Sequence, residues 1–301
     1  MAGGVLLLGH QETRRVMGVT ATVTVHAVDP RRLIEEAFSL LNRYEMLWSR
    51  FIPTSDLSRL NHAQGRSIVV DPSTIDLITF MKRAHTATDG LYNPTLLPRH
   101  RELHDVLSLV DDKRCDIPAS AMIWNHLNDI TIVSDAEVSI PDTMTLDAGG
   151  VGKGFSADLV VEHLLALGAQ SVSVNLGGDA RVASAPSARE SWNFDVVSLG
   201  ASDTVSTISL INGAIATSSI DARYRGGIGP QKHVFSVDNS ESHCRMCSVI
   251  AGEARWAEVW TKYVMLASSP RAAMTQNNLT ALIVDDNGSR YSTESWKEFE
   301  L

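Results

Sequence analysis

The chain has 301 residues, 44% of them apolar and 20% charged, with a formal net charge of −9. That is enough to bury a sizeable core, as one large domain or two small ones. The acidic balance argues against a general binder of nucleic acid or anionic membrane, although a phosphate ligand can be held where a metal or a local lysine brings positive charge.

Met1 to His10 carries a short apolar run with no basic stretch before it, too short for a secretory signal or a bilayer span. The expectation is a cytoplasmic protein with no direct membrane span. Residues 16–28 alternate and are rich in Thr and Val, which predicts a strand. Asp29-Pro30 then supplies an N-cap and a proline at the first helical position. Apolar residues at Leu33, Ile34, Ala37, Phe38, Leu41, Met46, Leu47 and Trp48 predict a long amphipathic helix. Residues 49–56 break it, and helix resumes briefly over 57–61. A second helix is expected over 73–88, entered through Asp71-Pro72 and stopped by Asp89-Gly90, with a turn at Asn93-Pro94-Thr95.

After an irregular middle (99–128), strands are expected at 130–133 and 143–146 and a helix at 155–168. Further strands follow at 171–175, 179–183, 192–197 and 206–210. Residues 213–218 lead into a turn region around 223–229; strands are expected at 233–237 and 247–250, a helix at 254–268 and a strand at 280–284. Many strands adjoin through short turns without a helix, which favours α+β with antiparallel sheets over a doubly wound parallel sheet. Cys115 stands alone, and Cys244-Arg-Met-Cys247 beside His243 has too few ligands for zinc and no helix start for redox chemistry, so these cysteines read as structural or incidental.

Two glycine-dense stretches carry the chemistry: Leu146-Asp-Ala-Gly-Gly-Val-Gly-Lys-Gly-Phe-Ser-Ala-Asp158 and Val174-Asn-Leu-Gly-Gly-Asp179. Glycine lets backbone approach a ligand closely or take positive φ. Lys153, between Gly152 and Gly154, adds a cation where a helix start at Phe155 would point N–H groups at an anion. This suggests phosphate handling: a pyrophosphate with a nearby metal. Neither the Walker pattern nor a complete Gly-x-Gly-x-x-Gly is present. Two tight strand-to-helix turns without a ligand are the alternative; their proximity and shared carboxylates favour a site.

With these residues in view, the chain resembles the ApbE family of flavin transferases. Met17-Gly-Val is similar to the family's Met-Gly-Thr, and Ser49-Arg-Phe-Ile-Pro-Thr-Ser-Asp-Leu-Ser-Arg-Leu-Asn61 to its Ser-Arg-Phe-x-Pro-x-Ser-Glu-Leu-Ser-Arg-Leu-Asn. Thr88-Asp-Gly-Leu-Tyr-Asn-Pro-Thr95 resembles Thr-Asp-Gly-Ala-Phe-Asp-Pro-Thr. Both glycine stretches resemble family segments, and Ala214-Ile-Ala-Thr-Ser-Ser219 resembles Ala-x-Ala-Thr-Ser-Gly. Six matches in order make the resemblance specific.

The resemblance implies a single domain over 1–301, α+β, with T-fold-like antiparallel sheets and packed helices. It implies magnesium-dependent transfer of FMN from FAD to a Thr or Ser hydroxyl of a protein, releasing AMP. Contacts to FAD are implied for Met17, Phe51, Leu91, Tyr92, Asn93, Asp147, Lys153 and Val234; for Phe51 and Tyr92, core packing is the other reading. Mg2+ is implied at the Gly150 carbonyl, Glu258 and Thr261. His233 is the implied general base, although Ser236 replaces the family's aspartate and the Pro-x-Thr-Gly turn is absent. Lys262 stands where the family has Thr, and an ammonium is not a metal ligand. Either Lys262 stands in for a cation on the phosphate, or it pairs with Glu258 across one helical turn.

The chain lacks the target motif Asp-x-x-[Ser/Thr]-Gly-Ala-[Ser/Thr], so the acceptor is expected in trans as a flavin-carrying redox protein. A flavin-storage protein without transfer, or an FAD pyrophosphatase yielding FMN and AMP, are the alternatives.

Overall fold

The computed structural model describes residues 7–102, 114–197, 204–220 and 244–301. The first alternating run folds back on itself. Strands β1 (Leu8–Val16) and β2 (Val19–Ala27) pair antiparallel, closing at Val16↔Val19. Met17 and Gly18 are the two turn residues, with φ of 51° and 73°, the left-handed geometry a two-residue hairpin demands. The expected single strand over 16–28 is therefore corrected: it is interrupted by this turn and starts again at Val19.

Helix α1 (Pro30–Trp48) begins where expected, Asp29 accepting from the Arg32 N–H at 3.3 Å, and it buries Leu33, Ile34, Ala37, Phe38, Leu41 and Trp48. Helix α2 (Asp56–Asn61), strand β3 (Ile68–Val69) and helix α3 (Pro72–Ala87) follow, with Asp71 capping α3 through the Ser73 N–H. Helix α4 (Leu97–Glu102) lies in the stretch read as irregular. Strands β4 (Thr131–Ser134) and β5 (Glu137–Ser139) complete a small sheet in the order β3-β5-β4.

Residues 143–146 do not form the expected strand; Met144 makes one isolated bridge to Met122. The reason is a side chain. Asn61 Nδ2 donates to the Leu146 carbonyl at 2.9 Å and its Oδ1 accepts from the Leu146 N–H at 2.8 Å. A buried amide thus satisfies the backbone groups that a neighbouring strand would otherwise pair.

Helix α5 (Gly152–Ala166) starts three residues before the expected Phe155. Strands β6 (Ser171–Leu176), β7 (Asp179–Ser184), β8 (Trp192–Val197), β9 (Thr204–Leu210), β10 (Gly213–Ser219) and β11 (Cys244–Ala251) come next. The lead-in expected at 213–218 is in fact strand β10, paired to β7 on one side and β11 on the other. The expected turn at 223–229 and strand at 233–237 lie outside the described residues. Helices α6 (Ala254–Leu266) and α7 (Pro270–Gln276) and strands β12 (Thr280–Asp285) and β13 (Arg290–Ser292) end the chain.

One eight-stranded sheet, in the order β1-β2-β6-β7-β10-β11-β12-β13, joins the two ends of the chain, and all its pairings are antiparallel. This is the α+β architecture of antiparallel sheets with packed helices expected above. Strand periodicity separates its faces. On β11, Val249 packs with Val264 and Met265 of α6, whereas Met246 and Ile250 pack with Val196 of β8 and Ile208 of β9. A bulge between Cys244 and Met246 brings Cys244 onto the α6 side with Cys247. Both thiols are buried there, and burial pushes Cys244 up to about 12, consistent with inert structural cysteines.

Helices α5 and α6 meet at Gly154. A Cβ at that position would sit 2.5 Å from the Ala254 carbonyl oxygen, so only glycine lets the start of α6 come this close. No side chain of its own caps α6; Asp158 on α5 does so, accepting from the Ala254 and Arg255 N–H groups at 2.8 and 3.0 Å. The Gly154→Ala variant is expected to lose about 1–3 kcal/mol of stability in urea denaturation by overpacking this contact. An unchanged midpoint would show that the helices can separate without cost.

Candidate functional site

A cavity of about 630 Å³ opens at one end of the large sheet. Four connecting segments and two strands wall it: the β1–β2 turn (Met17, Gly18), the end of α1 and its exit (Trp48 to Ile52), the glycine stretch before α5, the β6–β7 turn, and parts of β8 and β10. The β6–β7 turn is again a two-residue hairpin, Gly177 and Gly178 having φ of 67° and 104° between Leu176 and its partner Asp179. Gly177 is also needed for space, since a Cβ there would lie 2.9 Å from Val19. Backbone thereby approaches the cavity from two sides.

Four charged groups meet on its floor. Lys153, in the first turn of α5, donates from Nζ to Asp179 at the start of β7 and to Glu258 Oε1 of α6 at 2.7 Å. Glu258 Oε2 accepts from the Gly154 N–H at 2.8 Å, so one of the open N–H groups at the start of α5 is taken by the carboxylate. Lys262, one turn along α6, reaches Glu258 Oε1 at 3.3 Å. Glu258 lies behind the lining, its side chain 0% exposed, while Asp179 (5% exposed), Lys153 (24%) and Lys262 (15%) reach it. Both lysines line the cavity.

Burial opposes the charge on Glu258, but Lys153 and Lys262 more than offset it and hold the carboxyl near 2. Burial pushes Asp179 up against the pull of Lys153, and pulls Lys262 down against the pull of Glu258. Desolvation also works against Lys153, yet Asp179 and Glu258 keep it above the ordinary lysine range.

Beside this cluster, Arg50 Nη1 donates to Asp147 Oδ2 at 2.6 Å, with His100 Nε2 at 3.8 Å from the same oxygen. Burial raises Asp147, but Arg50 and then His100 bring it below the usual carboxylate range. The Arg50 guanidinium also stacks on the Phe51 ring at 4.8 Å. Arg50 lay inside a quoted motif, but its partner is far along the chain, so sequence reading gave it no role. Asp179 was likewise quoted without being named as a site residue.

Of the residues expected at FAD, Met17, Phe51, Asp147 and Lys153 line the cavity. Leu91, Tyr92 and Asn93 are not among the residues lining it. Asn93 braces its own turn, its Oδ1 accepting from the Thr95 N–H and its Nδ2 donating to the Trp124 carbonyl, both at 2.8 Å. The Tyr92 ring packs under Gly150, where a Cβ would come within 3.1 Å of it. Val234 and His233 lie outside the described residues.

The residues expected at magnesium fit that ion poorly. Both Glu258 oxygens are engaged by ammonium or N–H donors, as just described. Thr261 is fully buried; its hydroxyl donates to the Glu258 carbonyl at 2.8 Å and lies 2.7 Å from Ser218 Oγ of β10. Gly150 is not among the residues lining the cavity. A divalent ion about 5 Å from the Lys262 ammonium would meet roughly 7 kcal/mol of repulsion at an effective dielectric of about 20. Among the described residues, no cluster of three His, Cys, Asp or Glu could hold a metal.

With this geometry in view, the model of the ApbE family matches residues 17–283. The chain is 27% identical over 201 residues to the FAD:protein FMN transferase of Treponema pallidum (strain Nichols), covering 60% of this chain and 56% of that one. It is 26% identical over 175 residues to the protein of the same name from Klebsiella pneumoniae (strain 342), covering 54% and 52%. The matched part thus spans a little over half the length of these curated relatives. Among solved structures, an ApbE protein from Thermotoga maritima superposes with a TM-score of 0.84 at 21% identity, covering 98% of this chain and 100% of that chain. The Pseudomonas stutzeri flavinyl transferase ApbE gives 0.76 at 20% identity, covering 98% of each. These two show the shared fold.

Because the folded Glu258 carboxyl titrates near 2 rather than 4.5, its stabilising effect is present above about pH 4.5 and fades as the pH falls toward 2. Glu258→Gln is expected to cost on the order of 3 kcal/mol near pH 7, since it leaves two ammonium groups facing a neutral amide. In urea denaturation its gap to the unsubstituted protein should narrow as the pH is lowered from about 5 toward 3. A gap independent of pH would contradict the cluster.

Proposed function

The chain belongs to the ApbE family, and from that premise we propose that it transfers FMN from FAD to a Ser or Thr hydroxyl of an acceptor protein, releasing AMP. The observation that carries this reading is the pair of ammonium tips, Lys153 and Lys262, facing a cavity walled by two close-approaching glycine turns. Diphosphate is the part of FAD that such a floor suits, because fixed cations backed by buried carboxylates bind an anion without reorganising. The volume of about 630 Å³ falls in the range of small-molecule pockets.

In the proposed reaction the acceptor hydroxyl oxygen forms a bond to the FMN phosphorus. The bond from that phosphorus to the bridging oxygen breaks, and the oxygen departs with AMP. Lys153 and Lys262 offset the charge that grows on the leaving phosphate. Met17 and Phe51 would flank the flavin end, while Arg50 fixes the Asp147 carboxylate for a hydrogen bond to the bound dinucleotide. The hydroxyl proton goes to a base; His233 is proposed for that role on the family resemblance, with Val234 beside it at the flavin. Magnesium is implied by the same resemblance, but no step here runs through it, because Glu258 and Thr261 are already committed.

The partner in this reading is a flavin-carrying redox protein acting in trans, in the cytoplasm. No helix among the described residues is long and apolar enough to cross a membrane.

Purified protein incubated with FAD and candidate acceptors should yield AMP together with a flavin-fluorescent acceptor band on a denaturing gel. FMN and AMP without a labelled band would instead indicate a pyrophosphatase, and intact bound FAD a storage protein; either overturns the transferase reading. Asp147→Ala and Lys153→Ala are each expected to weaken FAD binding by about tenfold or more in fluorescence titration, the scale of a lost charged hydrogen bond. Unchanged affinity in both would remove the diphosphate from this floor.

A further inference from the structure

We propose that the Lys262 ammonium is a built-in replacement for a divalent cation, so that this chain holds the FAD diphosphate without a metal. The inference rests on the reading of the cavity as an FAD site and concerns how its charge is supplied. Lys262 is placed for the role by α6 itself. One helical turn after Glu258, its stem runs along the helix and its tip emerges at the cavity floor, where it lines the cavity.

Among the described residues that ammonium makes one hydrogen bond, the 3.3 Å contact to Glu258 Oε1. An ammonium carries three donors, so two remain for a ligand at a position only 15% exposed. An ordinary pair across one turn of a helix sits in solvent, with both groups hydrated. Here the carboxylate is fully buried and shared with Lys153 and the Gly154 N–H, and Lys262 lines the cavity beside Lys153 as a second ammonium with donors to spare.

The groups a metal would need are spent in the same arrangement. Each Glu258 oxygen already accepts from a donor, Oε1 from two ammonium groups, and the Thr261 hydroxyl is turned into the contact with Ser218. A threonine in place of Lys262 would remove one of the two repelling ammonium groups and add an oxygen donor one turn from Glu258. The position therefore decides between a fixed cation and a bound one.

The test is a flavin-fluorescence titration of FAD in EDTA and in excess Mg2+, on the unsubstituted protein and on Lys262→Thr and Lys262→Arg, with folding checked by circular dichroism. The unsubstituted protein should bind FAD with an affinity that changes less than about twofold between the two conditions. Lys262→Thr should lose about tenfold or more in EDTA and regain it with Mg2+, while Lys262→Arg should behave as the unsubstituted protein does. Binding by the unsubstituted protein that requires Mg2+, or Lys262→Thr binding equally well in EDTA, would overturn the proposal while leaving the FAD site intact. No FAD binding by the unsubstituted protein in either condition would overturn the FAD site and this proposal together.

Discussion

A carboxylate with no solvent exposure has to find all its compensation inside the protein, and Glu258 finds it in three groups from two helices. The Gly154 N–H takes one oxygen; Lys153 and Lys262 share the other. Those bonds require α5 and α6 to cross at contact distance, which only a glycine at 154 permits. They also require α6 to be anchored at its start, which Asp158 does from α5. Each feature depends on the others: without the close crossing the carboxylate is stranded, and without the carboxylate Lys262 loses its partner while Lys153 keeps Asp179 alone.

The same arrangement gives the cavity its character. Two carboxylates and two ammonium groups balance in number, but Glu258 lies behind the lining, so two ammonium tips face a ligand beside the one cluster carboxylate of Asp179. This is how a chain with a formal charge of −9 can hold an anionic ligand. It also ties stability to function: the lysines that would grip a diphosphate are the ones that keep Glu258 charged. Removing either changes the fold's energetics and the site's potential together, whereas exchanging ammonium for guanidinium at 262 keeps both.

Where local chemistry decided the outcome, the sequence was readable. Asp29-Pro30 and Asp71-Pro72 start helices because capping and a fixed proline φ act within one turn. The paired glycines at 177 and 178 do form a tight turn, but between two strands rather than from strand to helix. The readings that failed turned on distant partners. Residues 143–146 look like a strand, but the Asn61 amide satisfies the Leu146 backbone in place of a neighbouring strand. Arg50 and Asp147 are nearly a hundred positions apart and meet only when the end of α1 reaches the glycine stretch. At Lys262 the pairing with Glu258 across one turn is present, and the residue also lines the cavity. Spacing alone could not show that the acid would be the buried partner. Leu91, Tyr92 and Asn93 carry a recognisable motif but are not among the residues lining the cavity.

The central claim is that the two glycine turns and the α5–α6 charge cluster form one surface for a dinucleotide's diphosphate. Hydrogen–deuterium exchange with and without FAD tests it directly. The account predicts slower exchange on FAD addition at 147–154, at 175–179 and along 254–262, all together. Protection confined to other segments, with these three unchanged at saturating FAD, would contradict it.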